Sequence, residues 1–166
     1  MITIPLTKGC VTVIDDADLA LVSMHKWHAR RNHYRGMYAA TNVRVDGPTR
    51  KYRTALMHRL LMGALQSDVI DHKNRDGLDN RRDNLRVANR SLNAANSKHR
   101  ADRSTSQYRG VYLERDTGKY RSEIRVNGKL LRFGRHVDPV VAARLYDVAA
   151  RKHFGEFAVV NFTSAQ

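Results

Sequence analysis

The chain has 166 residues, with 30 Lys and Arg against 16 Asp and Glu, a formal net charge of +14 and 42% hydrophobic residues. That length suits one ordinary domain or two to three small ones, the apolar share allows thin cores, and whole-chain disorder is not expected. No uncharged apolar run of about 18 residues exists, and Met1 to Pro5 carry no basic leader ahead of an apolar stretch, so neither a membrane span nor a secretory signal is supported and a cytoplasmic location is expected.

The single cysteine, Cys10, excludes an intramolecular disulfide and a multi-cysteine zinc site, and is expected as a small buried group in a strand. An excess of positive charge attracts polyanions, nucleic acid first among them. Net charges of +5, +4 and +5 over residues 1–55, 56–107 and 108–166 show no basic tail, which favours a long footprint over one sticky arm.

In chain order, residues 2–14 alternate as two short strands broken at Lys8-Gly9. Asp15 or Asp16 offers an N-cap for a short helix carrying Leu19, Leu21, Val22 and Trp27. Residues 34–52 return to strands around a turn at Asp46-Gly47-Pro48, so residues 1–55 form a small β-rich platform. Residues 56–65 read as helix and 68–84, dense in Asp, Asn, Arg and Gly, as loop; 85–87 is a short strand and 88–99 a helix. Residues 101–107 are the expected linker between a central module at 56–100 and a C-terminal one at 108–166. There, strands at 108–113, 119–126 and 130–137 are joined by turns at Asp116-Thr117-Gly118 and Asn127-Gly128. Asp138-Pro139 then opens a helix that stops at Gly155. The expected class is α+β, ending in a three-stranded antiparallel sheet packed on one helix.

The centre, residues 71–96, reads DHKNRDGLDNRRDNLRVANRSLNAAN. Asp71 and His72 follow Val69-Ile70, which presents a carboxylate beside an imidazole at a strand end; Asn84 comes twelve residues after His72 and Asn93 nine after that. On a helix, Asn89, Asn93 and Asn96 would share one face. A calcium loop with Gly77 as its glycine would put His72, Asn74 and Asp76 at its first, third and fifth positions, and His72 does not fit the first.

This pattern resembles the HNH nucleases, in particular the homing type found in phages and introns whose third motif residue is Asn. The likeness runs through MHRLL at 57–61, Asp71-His72, the DG, DN and DNLR elements at 76–86, and Asn93 with Asn96. It implies a ββα-metal fold that holds one divalent ion and cleaves DNA. Carried over, Asp71 and Asn93 are the metal ligands and His72 is the general base; Asn84 braces the loop and orients that base, and His58 and Asn96 have structural or phosphate-contacting roles. Hard oxygen ligands of this sort suit Mg²⁺ or Mn²⁺. Neutral His72 would take a proton from the attacking water while the metal stabilises charge on the phosphate.

Alternation along 119–126 puts Tyr120, Ser122, Ile124 and Val126 on one face and Lys119, Arg121, Glu123 and Arg125 on the other. A charged sheet face fits the major groove, where Arg reads guanine and Glu accepts from cytosine. Residues 108–162 (YRGVY, EIR, AARLYD, VNF) resemble the plant ethylene-response-factor, or apetala-type, DNA-binding domain. That likeness makes Arg109, Glu123, Arg125 and Arg132 the DNA contacts, with Lys119 and Arg121 as phosphate neighbours. Tyr112 and Glu114 stand where the plant domains use arginines and Arg132 where they use tryptophan, so the plant target site does not carry over.

The expected protein is a metal-dependent endonuclease acting on double-stranded DNA as a monomer or weak dimer, needing no small-molecule cofactor. The alternative is a non-cleaving DNA-binding regulator with a degenerate nuclease module.

Overall fold

β-branched residues alternate along Ile2–Pro5 (β1) and Val11–Ile14 (β2), which pair antiparallel with Ile2 opposite Ile14 and Pro5 opposite Val11. In the computed structural model, which describes residues 1–32, 36–45, 51–97 and 105–163, Lys8 and Gly9 make the connecting turn, both at positive φ. Cys10 lies in that turn, only half-buried and 3.8 Å from the Lys8 carbonyl oxygen, because β2 begins one residue later. The expectation of a buried strand residue is thereby corrected.

The described chain forms two compact units, Met1–Ala88 and Asn89–Gln166. In the first, helix α1 (Leu19–Ser23) is shorter than its sequence suggests. No side chain caps it: Asp18 instead accepts from the Arg82 guanidinium and Asp15 from the Arg82 amide at 2.8 Å. Trp27 falls beyond the helix, and its indole Nε1 donates to the Val22 carbonyl at 2.8 Å. A three-stranded antiparallel sheet follows in the order β3 (His28–Asn32), β4 (Gly36–Val45), β5 (Lys51–Leu56). Tyr34 and the turn expected at 46–48 lie outside the described residues.

Helix α2 (Met57–Leu61) stops short of the expected 65, and Gly63 follows at φ +57, a conformation that ends a helix. The last pair of strands, β6 (Val69–His72) and β7 (Leu85–Ala88), forms an antiparallel ribbon, so four of the residues read as loop are strand. Ile14, Val22, Trp27, Ala39, Met57, Leu61, Ile70 and Leu85 share one core. Full burial of a side chain such as Ile14 or Met57 contributes about 1.5–3 kcal/mol, so the N-terminal strands and the β6–β7 ribbon stabilise each other. Backbone bonds reinforce this: Val13 N–H donates to the Leu78 carbonyl at 2.9 Å and Asn80 N–H to the Val13 carbonyl at 2.8 Å.

The second unit begins with helix α3 (Arg90–Ala95), whose N-cap Asn89 accepts from the Leu92 amide at 2.9 Å. The linker expected at 101–107 lies largely outside the described residues. A three-stranded antiparallel sheet of β8 (Val111–Glu114), β9 (Lys119–Val126) and β10 (Lys129–His136), with β9 central, carries the expected turn at Asn127-Gly128, both at positive φ. Asp138 caps helix α4 (Pro139–Phe154) by accepting from the Val140 amide at 2.7 Å.

Ser122 and Ile124 of β9 are buried with Val111, Ala142, Ala143, Tyr146 and Ala149, so the apolar sheet face packs on α4 as the alternation requires. A Cβ on Gly110, at φ +70, would run into the Tyr146 ring, which explains why the RGV segment has glycine there. Buried Asp147 accepts from the amides of Asn161 at 2.7 Å and Phe162 at 2.9 Å, fastening the C-terminal VNF segment to the helix. Among the described residues no helix is long and apolar enough to cross a membrane.

Candidate active site

The register of the β6–β7 ribbon sets Asp71 opposite Arg86 and His72 opposite Leu85. Both Asp71 and His72 are buried. Arg86 Nε and Nη2 each donate to Asp71 Oδ2 at 3.0 Å, a two-pronged hold that fixes the carboxylate at the strand end.

His72 Nε2 lies 3.4 Å from Asn80 Oδ1. Asn80 is fully buried, and its amide orientation follows from its other partner. The Thr12 hydroxyl proton goes to the Leu78 carbonyl at 2.6 Å, so Thr12 Oγ1 must accept from Asn80 Nδ2, at 2.7 Å. Asn80 Oδ1 therefore faces His72, Nε2 carries the imidazole proton, and Nδ1 is the basic nitrogen. Burial pushes the His72 pKa below the usual 6.5, against the opposing pull of the Asn80 bond and the Asp71 charge. The neutral form needed for a base is therefore favoured.

The Asn84 side chain bonds to Asn74 and Asp79 and so braces the 73–84 loop. Its Oδ1 accepts from the Asn74 amide at 3.0 Å and its Nδ2 donates to the Asp79 carbonyl at 2.7 Å and to Asn74 Oδ1 at 3.0 Å. Its carbonyl accepts from the Lys73 amide next to His72 at 2.9 Å. Of the two roles expected of Asn84, loop bracing is direct, and the side chain bonded to the base belongs to Asn80. Gly77 completes the loop: a Cβ there would come within 2.5 Å of the Tyr38 ring and the Met37 carbonyl.

Tyr38 in turn leans on two histidines, its ring centroid 5.4 Å from His58 and 5.9 Å from His72, while His58 meets His72 edge-on at 4.9 Å. His58, on α2, is buried, and its Nδ1 has no hydrogen-bond partner among the described residues. Burial lowers its pKa to about 3, helped by the like charges of His72 and Arg59. The folded state thus rejects a proton that the unfolded chain accepts near 6.5, so this contribution to stability is full above pH 6.5 and is lost as pH falls toward 3. Unfolding in urea at pH 5 is expected to show a deficit of about 2 kcal/mol relative to pH 7, largely absent in His58→Gln.

Asn93 and Asn96 fall in the second unit, Asn93 within α3 and Asn96, buried, just past its end. Among the described residues no group of three His, Cys, Asp or Glu gathers to hold a metal. A divalent ion at this site would rest on the Asp71 carboxylate, amide oxygen and water, a donor set that fits Mg²⁺ or Mn²⁺.

On the second unit's sheet, Lys119, Arg121, Glu123 and Arg125 share the face away from α4, with Glu114 and Arg135 beside them. Glu114 accepts from Arg121 Nη1 at 2.7 Å and from Arg135 Nε; Glu123 accepts from Arg121 Nε at 3.1 Å and lies 3.6 Å from Arg132 Nε. Lys119 and Arg125 are exposed. Arg109, expected on this face, is committed elsewhere: Nε donates to the Tyr146 hydroxyl at 2.7 Å and Nη2 to the Ala95 carbonyl at 2.9 Å. Its guanidinium ties α3 to α4, a role invisible in the RGV motif alone.

Residues 57–95 match the HNH endonuclease family. The chain is also 24% identical over 155 residues to an uncharacterized HNH endonuclease of Acanthamoeba polyphaga mimivirus, a match that covers 93% of this chain and 76% of that protein. The matched stretch takes in His58, Asp71, His72, Asn80, Asn84 and Asn93, so the similarity to HNH endonucleases falls on the residues of this candidate site.

Proposed function

We propose that this protein hydrolyses phosphodiester bonds in double-stranded DNA with the help of one divalent ion. The observation that supports this most is His72, buried, biased toward its neutral form and held through Nε2 by a fully buried amide, beside a carboxylate anchored by arginine. His72 Nδ1 takes the proton of the attacking water. Asn80 keeps the imidazole in the required tautomer, Asn84 braces the loop that carries Asn80, and His58 and Tyr38 exclude water from the ring's flanks. Asp71 and Asn93 are the proposed protein ligands of Mg²⁺ or Mn²⁺, which when bound stabilises negative charge on the phosphate and the leaving oxygen. His58 and Asn96 are assigned structural roles.

The exposed sheet face of the second unit is proposed as an apetala-type DNA surface, with Arg125, Arg132 and Lys119 as contacts and Arg121 and Glu123 set among them. The basic N-terminal platform adds backbone affinity. Binding is expected to weaken steeply with salt.

Supercoiled plasmid incubated with the protein and Mg²⁺ or Mn²⁺ is expected to be nicked, and chelation by EDTA to stop the reaction while DNA binding persists. Binding without any cutting across both metals would overturn the nuclease reading and leave a DNA-binding regulator.

A further inference from the structure

The exposed sheet face of the second unit is not a bare positive surface. Its two carboxylates lie low, Glu114 with 11% and Glu123 with 16% of the side chain exposed, beneath Arg132 and Arg135 at 61% each. Arg121, at 26%, bridges both acids, one through each end of its guanidinium. The order Arg135–Glu114–Arg121–Glu123–Arg132 is therefore one chain of ion pairs crossing all three strands. In the outer arginines the carboxylate engages Nε, the nitrogen nearest the stem, which leaves the terminal nitrogens of the fork for a partner.

We propose that Glu114 is a specificity-determining residue: with Glu123 it presets Arg121, Arg132 and Arg135 in one arrangement and lowers the face's attraction for phosphate of any sequence. The inference rests on the reading of this face as the DNA surface. An arginine that is free to swing can follow phosphates wherever they run, whereas one clamped at Nε offers its fork in a fixed direction, as bidentate reading of a guanine edge requires. Charge acts the same way. Lys119, Arg121, Arg125, Arg132 and Arg135 are five cations on the face, and the two acids reduce them to a net +3. Phosphate contacts supply affinity without sequence information, so each acid trades indiscriminate affinity for discrimination. The hydrogen bond from Arg135, with a further one from Arg121, holds the Glu114 carboxyl below the usual carboxylate range, so the acid stays charged when DNA approaches.

The test uses the full chain in EDTA and two duplexes of equal length, one enriched by the wild type from a randomised pool and one unselected. Glu114→Gln is expected to bind the unselected duplex roughly 3–10-fold more tightly, to steepen the salt dependence by about one ion, and to lower the enriched-to-unselected ratio about tenfold. Glu114→Asp keeps the charge on a shorter stem, and is expected to keep the wild-type salt dependence while losing part of the ratio. Melting curves confirm that each variant is folded, and Glu114→Asp carries the test if Glu114→Gln is not. A ratio unchanged in both folded variants, or a pool that yields no enriched sequence, overturns the inference. Arg125→Ala and Arg132→Ala separate the two levels. If neither weakens binding, the face is not the DNA surface; if both do and the Glu114 variants keep the wild-type ratio, the inference alone fails.

Discussion

His72→Ala is expected to lower the single-turnover rate of DNA cleavage by roughly 10²–10⁴-fold, the usual worth of a positioned general base, while the affinity for DNA stays at the wild-type value. The two readouts separate because His72 lies in the first unit's buried cluster, whereas the proposed sequence-reading face belongs to the second unit. His72 does contribute to packing through its edge-on contact with His58, so some loss of stability accompanies the change. Exogenous imidazole would be expected to restore part of the rate by filling the space the ring vacates.

Asn80→Ala is the second large effect, and it acts through position. Its removal takes the hydrogen-bond partner from His72 Nε2, leaves Thr12 Oγ1 without its donor and opens a cavity at a fully buried site. A buried polar group left unsatisfied costs about 1–3 kcal/mol, so a clear drop in the denaturation midpoint is expected. An imidazole free to turn and to exchange tautomers should lose on the order of 10–100-fold in rate. Asn80→Asp distinguishes orientation from bulk stability. The volume is kept, but a carboxylate facing Nε2 favours the protonated ring, so the acid limb of the rate profile should move to higher pH. A purely structural Asn80 would leave that limb where it is.

Nothing local in the sequence marks Asn80 out, although the DN pair it belongs to is part of the motif, and the reason is physical. Its meaning depends on Thr12, 68 positions away, and on the hydroxyl's choice of the Leu78 carbonyl. No periodicity reports such a link. The elements that were legible are those with local causes: the Asp138 cap with Pro139, the positive-φ pair Asn127-Gly128, and the strict alternation of Lys119–Val126. Asp71, His72 and Asn84 were legible as a set because their spacing within one ribbon and loop is itself the signal. Arg109 shows the opposite case: its place in a motif suggests a DNA contact, but hydrogen bonds to the Tyr146 hydroxyl and to the end of α3 decide where its guanidinium goes. Helix ends were missed where tertiary contacts override propensity, as with Asp15 and Asp18 drawn off to Arg82.

The most direct test of the account is the pH dependence of the single-turnover cleavage rate at saturating Mn²⁺, in the wild type and in His72→Ala. Burial pushes the His72 pKa down, and a cation bound nearby acts in the same direction, so the proton-accepting form persists into mildly acidic solution. In the wild type the rate should rise with unit slope and level off at a midpoint below about 6.5, the ordinary histidine value. In His72→Ala that inflection should vanish along with most of the rate. The same inflection and a comparable rate in both proteins would contradict the assignment of His72 as the general base.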